Sequence, residues 1–380
     1  MDILIATDKF KDSLSAREVC EGLKKGILRT FPAANIELLP LADGGEGTLE
    51  TLQSVWGGVF INCEVHDPLA RKIKANYLWI EDNKTALIEM ARASGIELLS
   101  ANKRNCLKTS TFGTGELVKD AIEKGANQII LTVGGSATND AGIGMASALG
   151  FEFLDENDVI LSPIGENLEK IRKIKKEKLH PKLSQTQFIV ATDVNNPFYG
   201  KNGAAYVFSP QKGADNEAVK LLDFGLQNVR NLCLQYFKKD LQMIAGSGAG
   251  GGIGGGAVCF LDAQIVSAAD WILEVNHVAD KLENTDILIT GEGKIDSQTW
   301  QGKLISRLLA LAEISATPVI LVCGTLLEVE SIVAQKGILY ATSLLNQPMS
   351  LATALSNSPE LVENQGLLLG KLLKGIAQKV

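Results

Sequence analysis

Short apolar runs recur along the chain, each followed by a polar or glycine-rich loop and then by an amphipathic stretch. Ile3–Thr7, Ile36–Leu41, Ile129–Val133, Phe188–Ala191, Asp286–Thr290 and Pro318–Cys323 read as buried strands of the parallel type, apolar and short. Helical patterns lie between them. Ser15 is a good N-cap, and Glu18 three residues on completes a capping box for a helix running to about Thr30. Further helices are expected from Thr48 to about Val55, over Phe112–Lys124, from about Asn216 to Phe237, and from about Leu361 onward. Strands alternating with helices argue for an α/β fold.

The pattern changes after Gly58. Gly58–Val65, Ile73–Ile80 and Thr85–Met90 alternate as antiparallel strands do, with Asp67-Pro68-Leu69-Ala70-Arg71 as the turn between the first two. Glu152–Lys182 is charged and lysine-rich, and a solvated helical excursion is expected there. Ala245–Gly256 reads AGSGAGGGIGGG and fits G-x-G-x-x-G twice. Only a weak strand precedes it, and no acid stands in a strand about 20 residues on, so it carries little weight as a dinucleotide signature. It is expected to line a nucleotide pocket or to let a helix pack closely.

Length and composition narrow the class. At 380 residues the chain exceeds the roughly 250–300 residues at which single cores stop growing, so two domains are expected. A net charge of −7 argues against nucleic acid as a partner. The six cysteines (Cys20, Cys63, Cys106, Cys233, Cys259 and Cys323) form no C-x-x-C pair, and none neighbours His66, His180 or His277, so no structural zinc site is expected. Reduced cysteines and the lack of a signal-peptide pattern point to the cytoplasm. The longest uncharged span, Ile244–Leu261, contains eight glycines, and no membrane segment is expected.

The chemistry gathers where strands end. In Ile129–Leu149, IILTVGGSATNDAGIGMASAL, a strand ends in a glycine-rich turn that opens a helix. Such a turn offers backbone N–H groups and the positive end of a helix dipole to an anion, most often a phosphate. Without a ligand it is only a tight turn. Asp8, Lys9 and Lys11 follow the first strand directly, where open α/β sheets place ligands. Asp43 and Glu46 follow the second; they could position a metal ion or a substrate hydroxyl, or only favour the next helix through its dipole. Arg71 is a candidate carboxylate binder by its planar fork, or a plain surface arginine. Asp193 follows the strand Phe188–Ala191, and Lys212 precedes the long helix from Asn216. Glu292, Lys294 and Asp296 follow Asp286–Thr290, with Lys303 further on. No G-x-x-x-x-G-K-[ST], no protein-kinase loops and no G-x-S-x-G elbow occur. Phosphoryl transfer fits these strand ends. It needs cradled phosphates, Mg²⁺-binding carboxylates, cations and an acid to take the acceptor proton.

These stretches carry a resemblance. ATDKFKDSLSA (6–16), PLADGGEGT (40–48), HDPLARKI (66–73), ALIEMARASGIELL (86–99), TFGTGELVKDAI (111–122), GGSATNDAGIGMASALG (134–150), ATDVNNPFYGKNGAAYVFSPQKGA (191–214), GAGGGIGGG (248–256) and ITGEGKIDSQTWQGK (289–303) run through nearly the whole chain. In that order they resemble the bacterial glycerate kinase family, the type found with glyoxylate, glucarate and galactarate use. Thr7 stands where the family usually has proline, Asp12 where glycine is usual, and Lys294 in place of a common arginine.

The resemblance implies ATP- and Mg²⁺-dependent phosphorylation of D-glycerate, in this bacterial type to 2-phosphoglycerate. It also implies two α/β domains with the active site in the cleft between them. One is a discontinuous Rossmann-like domain of residues 1–65 and 285–380. The other is a central flavodoxin-like or mixed α/β domain of residues 66–284. The change of pattern after Gly58 independently supports a boundary near there. With the strand-end positions, it suggests roles. Gly134, Gly135, Ser136 and Thr138 cradle phosphate, with Lys212, Glu292 and Lys303 as further nucleotide contacts. Asp193 is the first choice for base or Mg²⁺ ligand and Asp296 the second, with Lys11 also catalytic. Asp8, Lys9, Asp43, Glu46 and Arg71 are expected to hold substrate. Asn139 and Asp140 are expected to shape the turn. A monomer or homodimer is expected. A 3-phosphate product, another small hydroxy acid as acceptor, and a non-catalytic nucleotide or sugar-acid sensor remain open alternatives.

Overall fold

The computed structural model describes residues 1–42, 44–45, 47–296, 299–300, 303–327 and 329–378. Its longer elements, in chain order, are β1 (Asp2–Thr7), α1 (Ala16–Thr30), β2 (Asn35–Leu38), α2 (Thr48–Trp56), β3 (Val59–His66), β4 (Lys72–Ile80), β5 (Thr85–Glu89), α3 (Phe112–Lys124), β6 (Gln128–Thr132), α4 (Ile143–Ala148), β7 (Gln187–Ala191), α5 (Asn216–Phe237), α6 (Ala249–Leu261), β8 (Gln264–Val266), β9 (Ile287–Gly291), α7 (Leu304–Ile314), β10 (Val319–Cys323), β11 (Ile338–Ser343) and α8 (Ser358–Ala377). They divide into two compact units. The first comprises residues 1–43, 50–57 and 269–380, the second residues 44–49 and 58–268.

The first unit holds a five-stranded parallel sheet in the order β11-β10-β9-β1-β2. Numbered by occurrence within the unit this is 2-1-3-4-5, the flavodoxin-like order of the doubly wound class, with its switch point between β1 and β9. The strands are apolar because both faces are covered; β9 and β10 are buried at every position. Helix α1 starts at the expected capping box: Glu18 N–H donates to Ser15 Oγ at 3.3 Å, and Ser15 N–H donates to Glu18 Oε2 at 2.8 Å. It packs against α8, which brings the two ends of the chain together. The contact is close because it is made through glycines. A Cβ on Gly26 would stand 2.1 Å from Glu363 O, and one on Gly366 would stand 2.5 Å from Leu23 O.

The second unit is built on a six-stranded mixed sheet, β8-β7-β6-β5-β4-β3. The first four strands are parallel, and β4 and β3 continue antiparallel from β5. This explains the change of pattern after Gly58: β3 pairs with β4 along its whole length, from Val59 to His66, and so belongs to the central sheet. By compactness the central unit takes in residues 44–49 and 58–268.

Glu152–Lys182 is not a helical excursion. Glu152–Leu154 and Lys173–Lys175 pair as a two-stranded antiparallel ribbon, joined through the short helical turn Gly165–Lys170. The reason lies in apolar positions set among the charges. Phe153, Leu154, Leu168, Ile171 and Ile174 are all buried. Among the described residues no helix is long and apolar enough to cross a membrane.

Candidate active site

In the second unit β5, β6, β7 and β8 are parallel, so their carboxyl ends share one edge. The chain leaves β6 there and enters the glycine loop. Gly134 and Gly135 are exposed and Ser136 is buried. Backbone bonds stitch the loop to its neighbour: Ala137 N–H donates to Ser94 O at 2.9 Å, and Ile96 N–H donates to Gly135 O at 2.8 Å. Beneath it lies Lys212, only 2% exposed. Its Nζ donates to Ser136 Oγ and to Thr138 O, both at 2.7 Å. Among the described residues no carboxylate pairs with it. Burial lowers its pKa to about 8, with Cys106 and Asp140 opposing. A buried cation satisfied only by a hydroxyl and a carbonyl is short of an anion. Thr138 adds a buried hydroxyl with no hydrogen-bond partner among the described residues.

The helix after the loop is capped from within the motif. Asp140 Oδ2 accepts from Thr111 N–H at 2.7 Å, Thr111 Oγ1 at 2.8 Å and Gly144 N–H at 3.2 Å, while Oδ1 accepts from Gly142 N–H at 3.2 Å. Met145 N–H donates to Thr111 Oγ1 at 2.9 Å. The first turn of α4 is thus occupied by Asp140 and Thr111. Asp140 shapes the turn, as its expected role required. Burial raises its pKa against the pull of its donors.

The glycine run resolves toward close packing. Gly250, Gly251 and Gly252 have φ between +61° and +90° and kink α6 over the loop. A Cβ on Gly251 would lie 2.0 Å from Thr138 O, and one on Gly256 would lie 2.2 Å from Ala141 O.

Two other candidates share this edge. Asp193 follows β7 and accepts from Ser267 Oγ at 2.9 Å, across from the end of β8. Arg71 lies in the turn between β3 and β4. Its Nε donates to Asp67 Oδ2 at 2.5 Å, with Nη2 on the same carboxylate, and Nη2 also reaches Leu98 O at 3.4 Å. Part of its fork is already engaged by a buried acid, and the guanidinium is held next to the segment that stitches the loop. Glu89, at the end of β5, is buried; its Oε1 accepts from Leu49 N–H and its Oε2 from Arg92 Nε, each at 2.9 Å.

The remaining candidates lie in the first unit, at the carboxyl ends of β1 and β9 beside the switch point. Asp8 is buried; its N–H donates to Gly291 O at 2.9 Å, and its Oδ1 accepts from Lys9 N–H at 2.7 Å. Lys11 is exposed, on a turn closed by Phe10 and Leu14. Asp12 in that turn has φ +61°, left-handed backbone that aspartate tolerates and glycine favours. From β9, Glu292 Oε1 accepts from Thr299 Oγ1 at 2.7 Å, and Asp296 pairs with Lys294 at 2.7 Å. Cys323, at the end of β10, has its thiol pushed up to about 12 by burial and by Glu292. Lys303 is exposed and caps α7. Asp43 and Glu46 lie outside the described residues.

The structure therefore joins Ser136, Thr138 and Lys212 directly, with Asp193 at the neighbouring strand end. It places Asp8 and Lys9 after the carboxyl end of β1, and Glu292 and Asp296 after that of β9. Sequence reasoning missed Ser267 and Glu89. Ser267 stands before an apolar helix, as an ordinary cap would; Glu89 ends a run whose alternation drew attention to its pairing.

Comparison with known proteins decides the family. The family model described as "Glycerate kinase family" matches residues 3–374. The chain belongs to the glycerate kinase family. It is therefore a kinase. A glycerate kinase from Halalkalibacterium halodurans is 40% identical over 361 residues, covering 95% of each chain. A protein named glycerate 2-kinase from Escherichia coli is 39% identical over 338 residues, covering 89% of each. A crystal structure from Salmonella typhimurium LT2, provisionally named glycerate kinase 2, superposes with a TM-score of 0.89 at 37% identity, covering 100% of this chain and 99% of that one. The two-domain α/β architecture agrees with that likeness.

Proposed function

We propose that the protein transfers the γ-phosphoryl group of ATP to D-glycerate and gives 2-phosphoglycerate. The observation that carries this reading is Lys212, a buried cation with no paired acid among the described residues, donating to the glycine loop at the carboxyl edge of a parallel sheet. The 2-position is supported by the name of the Escherichia coli relative. We assign the phosphates to Gly134, Gly135, Ser136, Thr138 and Lys212, where backbone donors and one ammonium offset charge that builds on the transferring group. Asp193, fixed by Ser267, takes the proton of the attacking hydroxyl or holds Mg²⁺. Asp296 comes second, because Lys294 already neutralises it.

Among the described residues no three His, Cys, Asp or Glu side chains form a metal cluster. Magnesium held chiefly by nucleotide phosphates requires only one or two carboxylates, so the oxygen of Asp193 at this edge fits it. Held by Asp193, the ion would supply positive charge against the charge that builds up during phosphoryl transfer. Arg71, Lys9 and Lys11 are assigned to the glycerate carboxylate or the transferring phosphoryl, with Asp8, Asp43 and Glu46 on the substrate side and Glu292 and Lys303 on the nucleotide side. Six free cysteines suit a reducing cytoplasm.

Steady-state kinetics with coupled ADP detection over a panel of small hydroxy acids tests the reading. D-glycerate should give the highest kcat/KM, and Asp193→Asn should lose about 10²–10⁴-fold. A loss under about tenfold removes Asp193 as the base. Equal turnover of unrelated hydroxy acids removes D-glycerate as the substrate.

A further inference from the structure

We infer that Ser267 is a positioning residue of the phosphoryl-transfer site, holding the Asp193 carboxylate in its working orientation. This rests on the role proposed above for Asp193.

The geometry is set by strand register. β8 pairs in parallel with β7, Val266 opposite Ala191, and the ladder runs on as Thr192 N–H donates to Val266 O at 3.0 Å. The next residues, Ser267 and Asp193, then leave the sheet side by side. Ser267 Oγ lies 2.9 Å from Asp193 Oδ1. Asp193 sits on the loop that follows β7. Val194 N–H donates to Thr192 Oγ1 at 3.2 Å, which tightens the backbone just around it but leaves its side chain untouched. Ser267 comes from a different strand, so it ties the carboxylate to the sheet itself. Threonine would keep this donor; alanine would remove it with little change of volume.

The test is a kinetic cycle on the full-length protein. Ser267→Ala should lower kcat about tenfold, the scale of one hydrogen bond to a charged group, with KM for ATP and for D-glycerate within about twofold. Ser267→Thr should restore most of kcat. In an Asp193→Asn background, S267A should change nothing further, because the group it orients is already disabled. If S267A does not fold, Ser267→Cys carries the same comparison with a weaker donor. Normal kcat in S267A beside a crippled D193N overturns this inference alone. So do losses that multiply in the double variant. Undiminished kcat in D193N overturns the assignment of Asp193 itself, and this inference with it.

Discussion

Lys212 is the residue whose environment says most. Its pKa of about 8, against an ordinary 10.5, is a burial effect worth about 3 kcal/mol of folding free energy. The sign follows from proton counting. Between the two values the unfolded chain binds more protons than the native state, so stability contributed by this site rises with pH from about 8 toward 10.5 and is flat below 8. Denaturant titrations of wild type against Lys212→Met should show the wild type gaining relative stability over that window. At pH 7 the methionine variant should be at least as stable, since an apolar side chain of similar length spares the burial of a charge. Its activity should fall at least about 100-fold, as when a preorganised donor is removed from developing charge. A wild type whose KM for ATP stays constant from pH 7 to pH 9 would count against Lys212 as the phosphate cation. From sequence, Lys212 stood out only by its place before a long helix. Its burial depends on contacts 74 and 76 residues away, which no local pattern reveals.

Between elements, Asp140 and the glycines of α6 hold the loop in shape. Asp140 joins the starts of α3 and α4 through four hydrogen bonds, so Asp140→Ala should cost about 2–4 kcal/mol and lower the melting temperature. Gly251→Ala meets both a positive φ and Thr138 O, and about 2–4 kcal/mol is expected by thermal denaturation. Gly125→Ala is the comparison: φ is +101°, but nothing lies within 4 Å of the new methyl, so only backbone strain of about 1 kcal/mol should be seen. Equal losses at the two positions would show that the contact with the loop is unimportant. Most elements were legible, because α1, α3 and the parallel strands carry strong local signals: a capping box, a 3.6-residue period, unbroken apolar runs. The 152–182 segment was not. Its buried residues are spaced between lysines and glutamates, and high charge masks a short ribbon.

At the scale of the molecule, the α/β class and the division into two units follow from periodicity and length, while strand order does not. The pairing of β1 with β9 joins residues more than 280 apart, and only the full set of tertiary contacts selects it. The place of β3 is hidden for a similar reason: it is half-exposed and reads like an edge, and its partner β4 decides where it belongs. The strand-end residues were legible as a set, because parallel sheets gather loops on one edge whatever their order. Their individual roles depend on contacts such as Ser267 with Asp193. We propose a single phosphoryl transfer to one hydroxyl of D-glycerate, and phosphorus NMR of the product formed from ATP, Mg²⁺ and D-glycerate reads that transfer out. ADP and 2-phosphoglycerate are expected in equal amounts; 3-phosphoglycerate as the product, or unchanged ATP, would refute the proposal.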